Sequence, residues 1–418
     1  MYDSATKSNR LGIFPPQSGK EYHKTAGFRR RYVHKGTQTK SYRKVSAAYN
    51  EETFQAIKCS SRSLQEMVVA EGKKVNKLLD SKSLEILKQY GVVHTHHKTQ
   101  VSEQTQAAVC DWSHEEESKV EAAYKEVKSK CRDEVASKLE IDLKAYECAD
   151  TTINISNDDV CVKEQKKKRK GFSKAELEQE QEQRKKEKKR VNGRKVQKKR
   201  KYLYQNATHF ERKGKSYKII GERLVTQLNP ITAFLLSNEG LAYNWVFFVD
   251  GQRTINDCIK HRFSWRNIDI VLDWYHLDKK INKQMYRALK SCTQRDEVMQ
   301  EIKKWAWHGL VDEAIKCISQ IDEELIRNQE ELEILAGYFE RNRTYIKCYS
   351  VRKELGLRLS SNRVEKTNDE LVSHRQKKKG ISFTRNGSYG LAVIKSLELN
   401  NERENWIKNQ NIKFKFAA

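Results

Sequence analysis

The sequence predicts an α/β fold built on a mixed sheet, and three observations carry that prediction. Residues 245–249 read Trp-Val-Phe-Phe-Val, a run apolar on both faces, as in a strand covered on two sides. The run ends in Asp250-Gly251. A second, mostly apolar run from Ile268 to Leu272 ends in Asp273, with His276 three residues on. The order of elements from Thr152 is strand, strand, strand, helix, strand, helix, strand. That order predicts three antiparallel strands and then parallel strands joined by crossover helices.

Composition narrows the function. The chain has 418 residues, with 82 Lys and Arg against 56 Asp and Glu, a formal net charge of +26, 37% hydrophobic residues and 33% charged ones. Such a surplus points to a polyanionic partner, because neutralised phosphates release counterions. No apolar run approaches the ~20 residues of a transmembrane helix. No charged-then-apolar signal pattern opens the chain. The expectation is therefore a soluble cytoplasmic protein with no membrane partner. The nine cysteines are scattered, odd in number and without a CxxC pair, which predicts reduced, mostly buried thiols rather than disulfides. His94, His96 and His97 cluster, but no cysteine stands at zinc-finger spacing.

In chain order, residues 1–37 read as a basic flexible arm containing Pro15-Pro16 and Gly19. Residues 38–80 carry two helical stretches, Tyr42 to Tyr49 and one starting near Ser61, with the pattern of a helix-turn-helix. Arg43, Lys44 and Arg62 are its candidate DNA contacts. Residues 81–150 read as a connector, with one charged helix from Ser113 to about Ala145. Thr152 to Ser156 alternates like a strand, runs into Asp158-Asp159 and continues as Val160-Cys161-Val162. A basic tongue, 163–201, predicts a long exposed helix or disorder, touching DNA backbone through Lys185, Lys186, Lys188 and Lys189. Tyr202 to Phe210 and Ser216 to Ile220 read as a hairpin. Leu224 to Leu236 reads as a helix broken at Pro230. Residues 277–351 form an all-helical insertion that includes a helix from Ile321 to Gln329. Residues 352–418 close the core that begins at 151–276, with helices around Glu365 and from Gly387 to Leu397.

The chemistry rests on acids. Asp250 and Asp273 end neighbouring strands at the edge where open α/β sheets build their sites. Each could instead cap the helix that follows it. Glu365, on the helix after the last strand, supplies a third carboxylate, and Asp158 or Asp159 a fourth position; Asp158 comes first after the regular strand. Converging carboxylates repel unless cations lie between them. A cluster of Asp158, Asp250 and Glu365 would hold two divalent ions, and hard oxygen ligands suit Mg²⁺ or Mn²⁺.

Four blocks carry a resemblance: DDVCVKEQKKKR at Asp158, FFVDGQRTI at Asp250, IVLDWYHLDKK at Asp273, and SSNRVEKTNDELVSHRQKKKGISF around Glu365. Over somewhat more than half its length, the chain resembles the DDE transposases of bacterial insertion sequences related to the Mutator superfamily. The resemblance implies an RNase H-like catalytic domain with a helical insertion. It implies Asp158, Asp250 and Glu365 as catalytic acids, and Asp273 with His276 as the family's Asp/Cys-x-x-His motif. Arg363 stands where the family usually has a small residue, and Ser382-Phe383 where a Trp-Ser pair is common. The implied activity is metal-dependent cleavage and strand transfer of double-stranded DNA, at the element's terminal repeats and at a target, by a dimer or larger assembly near the nucleoid. Lys366, Arg375, Lys377, Lys378 and Lys379 would flank the bound DNA end. A stand-alone RNase H-fold nuclease and a DNA-binding relic are the alternatives.

Overall fold

The computed structural model describes residues 26–37, 41–52, 59–95, 99–140, 142–165, 173–187, 201–290, 292–378 and 381–416. The chain divides into two compact units, each assembled from separated segments. One comprises Met1–Asn76, Asp159–Gln205 and Asp369–Ser396; the other comprises Lys77–Asp158, Asn206–Asn368 and Leu397–Ala418.

The larger unit holds most of a five-stranded mixed sheet. Its strands are β1 (Thr152–Lys163), β2 (Tyr202–Arg212), β3 (Lys215–Gly221), β4 (Asn244–Val249) and β5 (Asp269–Leu272), in the order β3-β2-β1-β4-β5. β2 and β3 pair antiparallel through the two-residue turn Lys213-Gly214, both at positive φ, which matches the twist of a tight hairpin. β1 runs parallel to β4, and β4 to β5. All six residues of β4 are buried, as its two-faced apolar run requires. β1 is continuous through Asp158-Asp159 and Val160-Cys161-Val162, as expected.

Helix α1 (Leu224–Ser237) passes straight through Pro230. An interior proline costs about 3 kcal/mol. Burial of Leu228, Ile231, Phe234 and Leu235, each at roughly 1.5–3 kcal/mol, outweighs it. The expected break is therefore not there. α2 (Arg253–Arg262) links β4 to β5, and α3 (Trp274–Ala288) follows β5. In the insertion, α4 (Gln329–Asn342) packs against α3. The stretch expected to be helical from Ile321 to Gln329 holds only a single turn, Glu323–Leu325. Asp322 caps that turn and Asn328 caps α4, and these local bonds divide the segment. α5 (Asn362–Asn368) carries Glu365.

The connector helix is also shorter than its sequence suggests, spanning Glu117–Lys130. The chain turns out at Cys131, and Leu139 and Tyr146 pack onto the same core as Val120 and Val127. Of the described thiols, Cys59 is buried and Cys110, Cys131, Cys148, Cys161, Cys258, Cys317 and Cys348 are partly exposed, contrary to the expectation of mostly buried ones.

In the smaller unit, Ala26–Thr37 is a helix, where a flexible arm was expected. Tyr32 and Val33 share a core with Val45, Tyr49, Leu64, Val68 and Leu391, and tertiary burial of this kind orders a short helix. Helices Tyr42–Glu52 and Ser61–Gln89 follow. Within the tongue the structure describes the helix Lys174–Glu187, which includes Lys185 and Lys186; Lys188 and Lys189 lie outside the described residues. Among the described residues no helix is long and apolar enough to cross a membrane.

Candidate active site

The parallel register lines up three acids. Ser156 of β1 pairs with Phe248 of β4, so two residues further on Asp158 stands opposite Asp250. Val249 pairs with Leu272 of β5, so one residue further on Asp250 stands opposite Asp273. The Asp273 amide donates to the Val249 carbonyl at 2.9 Å, keeping that register at the strand end. Neighbouring strands lie about 4.8 Å apart. Asp158, Asp250 and Asp273 therefore form a row across three parallel strands, level with the carboxyl ends of β4 and β5, while β1 runs on to Lys163. Asp158 is half-buried, and its neighbour Asp159 is exposed.

The three acids differ in how they are used locally. Asp273 is fully buried and caps α3, its Oδ1 accepting from the amides of Tyr275 (2.7 Å) and His276 (3.4 Å). Its Oδ2 accepts from the Ser361 amide at 2.7 Å and from the Ser361 hydroxyl. Asp273 therefore ties the end of β5 to the turn that starts α5 and so helps to place Glu365. Asp250 does not cap α2, which starts from Gln252; its Oδ1 accepts from the Gln252 amide at 3.0 Å. Asp158 Oδ2 accepts from Asn368 Nδ2 at 2.8 Å, a bond that joins β1 to α5.

Charge ties the group together. Burial alone would lower the His276 pKa, but contact with Asp273 outweighs it, with help from the charges of Asp158 and Asp250, and the imidazole is raised above 6.5. His276 Nδ1 lies 3.3 Å from Asp273 Oδ2 without hydrogen-bond alignment, so that contact is chiefly electrostatic. Burial pushes the Glu365 carboxyl up, and the charges of Asp158 and Asp273 add to it against the pull of His276 and Lys279. For Asp273, burial is outweighed by His276 beside it and by the bonds from Ser361, and its pKa is lowered.

Several supporting groups had no signal in the sequence. The Tyr338 hydroxyl on α4 donates to the Asp250 carbonyl at 2.9 Å. Gly251 has φ +81°, and a Cβ there would stand 2.6 Å from that hydroxyl, so glycine is required twice over. Tyr349 donates to the Leu272 carbonyl at 2.7 Å. Behind Asp158, Asn157 bonds Asn206 (2.6 Å) and Thr208 (2.9 Å), and Gln227 donates to the Asn206 carbonyl at 2.8 Å, a buried network that fixes β1 on β2. His209 Nδ1 meets Thr367 Oγ1 at 3.0 Å, and Thr367 donates to the Arg363 carbonyl. The Thr367 proton is thus spent, so His209 is the donor in that pair. Burial, with Lys218, Arg358 and Arg363 nearby, holds its pKa down to about 3 and keeps it neutral.

The donor set suits a hard cation. It consists of the carboxylates of Asp158, Asp250 and Glu365, with the buried, unpartnered Asn368 Oδ1 beside Asp158. Among the described residues, no three His, Cys, Asp or Glu side chains stand close enough together to hold an ion.

The expected DNA contacts fall in different settings. In the smaller unit, Arg43 and Arg62, both exposed, line a cleft of about 1120 Å³ together with Tyr42, Lys73, Phe383 and Arg385. Lys44 is exposed, and so are Lys377 and Lys378. Arg375 also lines the cleft but is buried; its Nε donates to the Gly36 carbonyl at 3.3 Å and its guanidinium lies over the Tyr42 ring, so it braces this unit as well. Lys366, in the larger unit, is exposed on α5, and Lys379 lies outside the described residues. Comparison with protein-family models, with curated proteins and with solved structures found no match for the chain.

Proposed function

We propose that this chain is a DDE-type transposase that cleaves and joins DNA through an RNase H-like catalytic domain. The observation that carries the reading is the alignment of Asp158, within β1, with Asp250 and Asp273, just past the ends of β4 and β5, electrostatically linked to Glu365 on the helix that follows the insertion. The strand order β3-β2-β1-β4-β5, an antiparallel hairpin followed by parallel strands, supports the fold assignment. The net charge of +26 and the arginine-lined cleft support a DNA partner.

In this reading Asp158, Asp250 and Glu365 would hold Mg²⁺ or Mn²⁺, two ions in all, which when bound would supply Lewis acidity to the attacking and leaving oxygens. Water attacks a phosphodiester at the element end, the P–O3′ bond breaks and a free 3′-hydroxyl remains. That hydroxyl then attacks a target phosphodiester and displaces its 3′ oxygen, so the number of ester bonds is conserved. Asp273 and His276 position the row rather than react. Two element ends per event call for a dimer or larger assembly.

The test is an assay of DNA carrying the element's own ends, with Mg²⁺. Asp250→Asn and Glu365→Gln should lose cleavage by several orders of magnitude and bind DNA as before. Asp158→Asn should behave like them, and Asp159→Asn should retain activity. Cutting without joining in the unaltered chain would leave a stand-alone nuclease. Full activity of Asp250→Asn would end the proposal.

A further inference from the structure

The helical insertion carries a cationic surface that neither the acid row nor the cleft of the smaller unit explains. Lys280, Lys283 and Arg287 recur on α3 at spacings of three and four residues, which places them on one face. Arg341, on the adjacent α4, follows Tyr338 by three residues and shares its face. The Lys280 ammonium lies 5.5 Å from the centre of the Tyr338 ring, and Tyr338 bonds the Asp250 carbonyl, so the patch begins one side chain away from the acid row. Lys279 lies 5.5 Å from the centre of the exposed Tyr275 ring, and its charge reaches Glu365.

This charge is poorly compensated. Arg287 has Glu331 at 3.4 Å, but among the described residues no carboxylate pairs with Lys279, Lys283 or Arg341. Burial, with Lys283 and Arg341 nearby, holds the Lys280 pKa below its ordinary value. Like charges gathered on one face repel one another, and although Glu365 offsets part of the Lys279 charge, the rest costs folding free energy unless an anion lies on it. Each of them is exposed or half-buried and so within reach of a ligand.

We propose that this face of α3 and α4 binds the phosphate backbone of the DNA strand leading to the acid row, with Tyr275 as a stacking surface for one of its bases. The assignment rests on the proposed function and deepens it, placing a DNA-binding surface in the insertion rather than only in the N-terminal helices.

The test is binding of a short fluorescein-labelled duplex of arbitrary sequence, measured against salt in EDTA so that nothing is cut. Lys279→Ala, Lys283→Ala and Arg341→Ala combined should weaken binding and flatten the log–log salt slope by about 0.9 for each phosphate left without its cation. A melting curve checks that this variant, altered only at exposed positions, is folded. With 2-aminopurine near the end of a frayed duplex, Tyr275→Ala should lose stacking quench and bind roughly five-fold or more weakly, and Tyr275→Phe should keep both. An unchanged affinity and slope in the folded triple variant, while the unaltered chain binds and cuts DNA, would overturn this assignment alone. Failure of the unaltered chain to bind any DNA would overturn the proposed function with it. Displacement of the duplex by polyglutamate as readily as by unlabelled DNA would mark the face as a site for acidic polypeptide and also overturn it.

Discussion

Glu147 and Glu365 belong to the same unit and meet opposite surroundings. Glu147 is 1% exposed, and Arg352, fully buried, holds both its oxygens at 2.6 and 2.8 Å while donating through Nε to the Arg358 carbonyl. Every charge there has a fixed, permanent partner. Glu365 is half-exposed and faces other carboxylates, which His276 and Lys279 offset in part. The first arrangement is closed, so nothing remains for a ligand to do. The second leaves negative charge uncompensated at a sheet edge, which costs stability, and it is there that the proposed cations would bind. Chemistry in this chain is therefore to be sought not at the deepest charges but at those the fold has failed to neutralise.

The largest effect should come from opening the closed region. Glu147→Gln leaves Arg352 charged in the interior without its counterion, and removing one partner of a buried pair costs about 3–5 kcal/mol. Urea unfolding of the variant should show a loss of that size. Replacing both partners with apolar side chains of similar volume should cost less than either single change. A single variant as stable as the parent would dissolve the contrast.

An intermediate effect should follow at Asp273, the one acid of the row that resembles Glu147. Ser361→Ala removes one of its donors and loosens the turn that starts α5. A loss of about 1–3 kcal/mol in unfolding is expected, together with reduced cleavage because Glu365 is less firmly placed. Normal stability combined with lost cleavage would mean that Ser361 acts directly rather than through position.

Much of this arrangement could be read locally and the rest could not. Trp245–Val249 announces a covered strand because both faces are apolar, and Asp250-Gly251 announces its exit. The hairpin is equally local, although pairing runs on to Arg212 and Lys215 and leaves a turn of two residues where the sequence suggests a connection of five. The burial of Arg375 is not, because a basic run looks the same whether an arginine faces solvent or lies over Tyr42. Nor are the partners of the site. Tyr338 reaches Asp250 across 88 positions, His209 reaches Thr367 across 158, and Arg352 reaches Glu147 across 205. No periodicity links residues so far apart; only the packed fold does. The register that aligns Asp158 with Asp250 is likewise a property of paired strands, invisible in either strand alone.

Glu365→Gln tests the open region at smaller amplitude. A carboxyl whose pKa is raised on folding binds its proton more tightly in the folded chain than in the unfolded one. Its contribution is therefore favourable below the ordinary value of 4.5 and is lost as pH rises through the folded pKa. At neutral pH without metal, Glu365→Gln should melt slightly higher than the parent, and added Mg²⁺ should raise the parent's melting temperature more than the variant's. A variant less stable than the parent at pH 7 would show that Glu365 is structurally compensated after all.

The smallest and most discriminating effect lies with His276. Arg352 stays protonated across the working range, so the closed region is indifferent to pH there, whereas His276 can release its proton. Its folded pKa is raised, so its contribution to stability is complete below 6.5 and is lost as pH rises through the folded value. His94, His209 and His308 have lowered pKa values and change stability on the acid side of 6.5, with the opposite slope. Glu365 has its effect from 4.5 upward, so Glu365→Gln is the background in which to look. There, stability measured by urea unfolding should fall as pH increases above 6.5, and His276→Gln should remove that fall while leaving the acid-side slope intact. Because the imidazolium is the cation nearest the row, its loss should also tighten Mn²⁺ binding as pH rises in the parent but not in His276→Gln. A slope above pH 6.5 that survives His276→Gln would detach His276 from the acid row, and with it the contrast between a permanently neutralised carboxylate and a conditionally neutralised one.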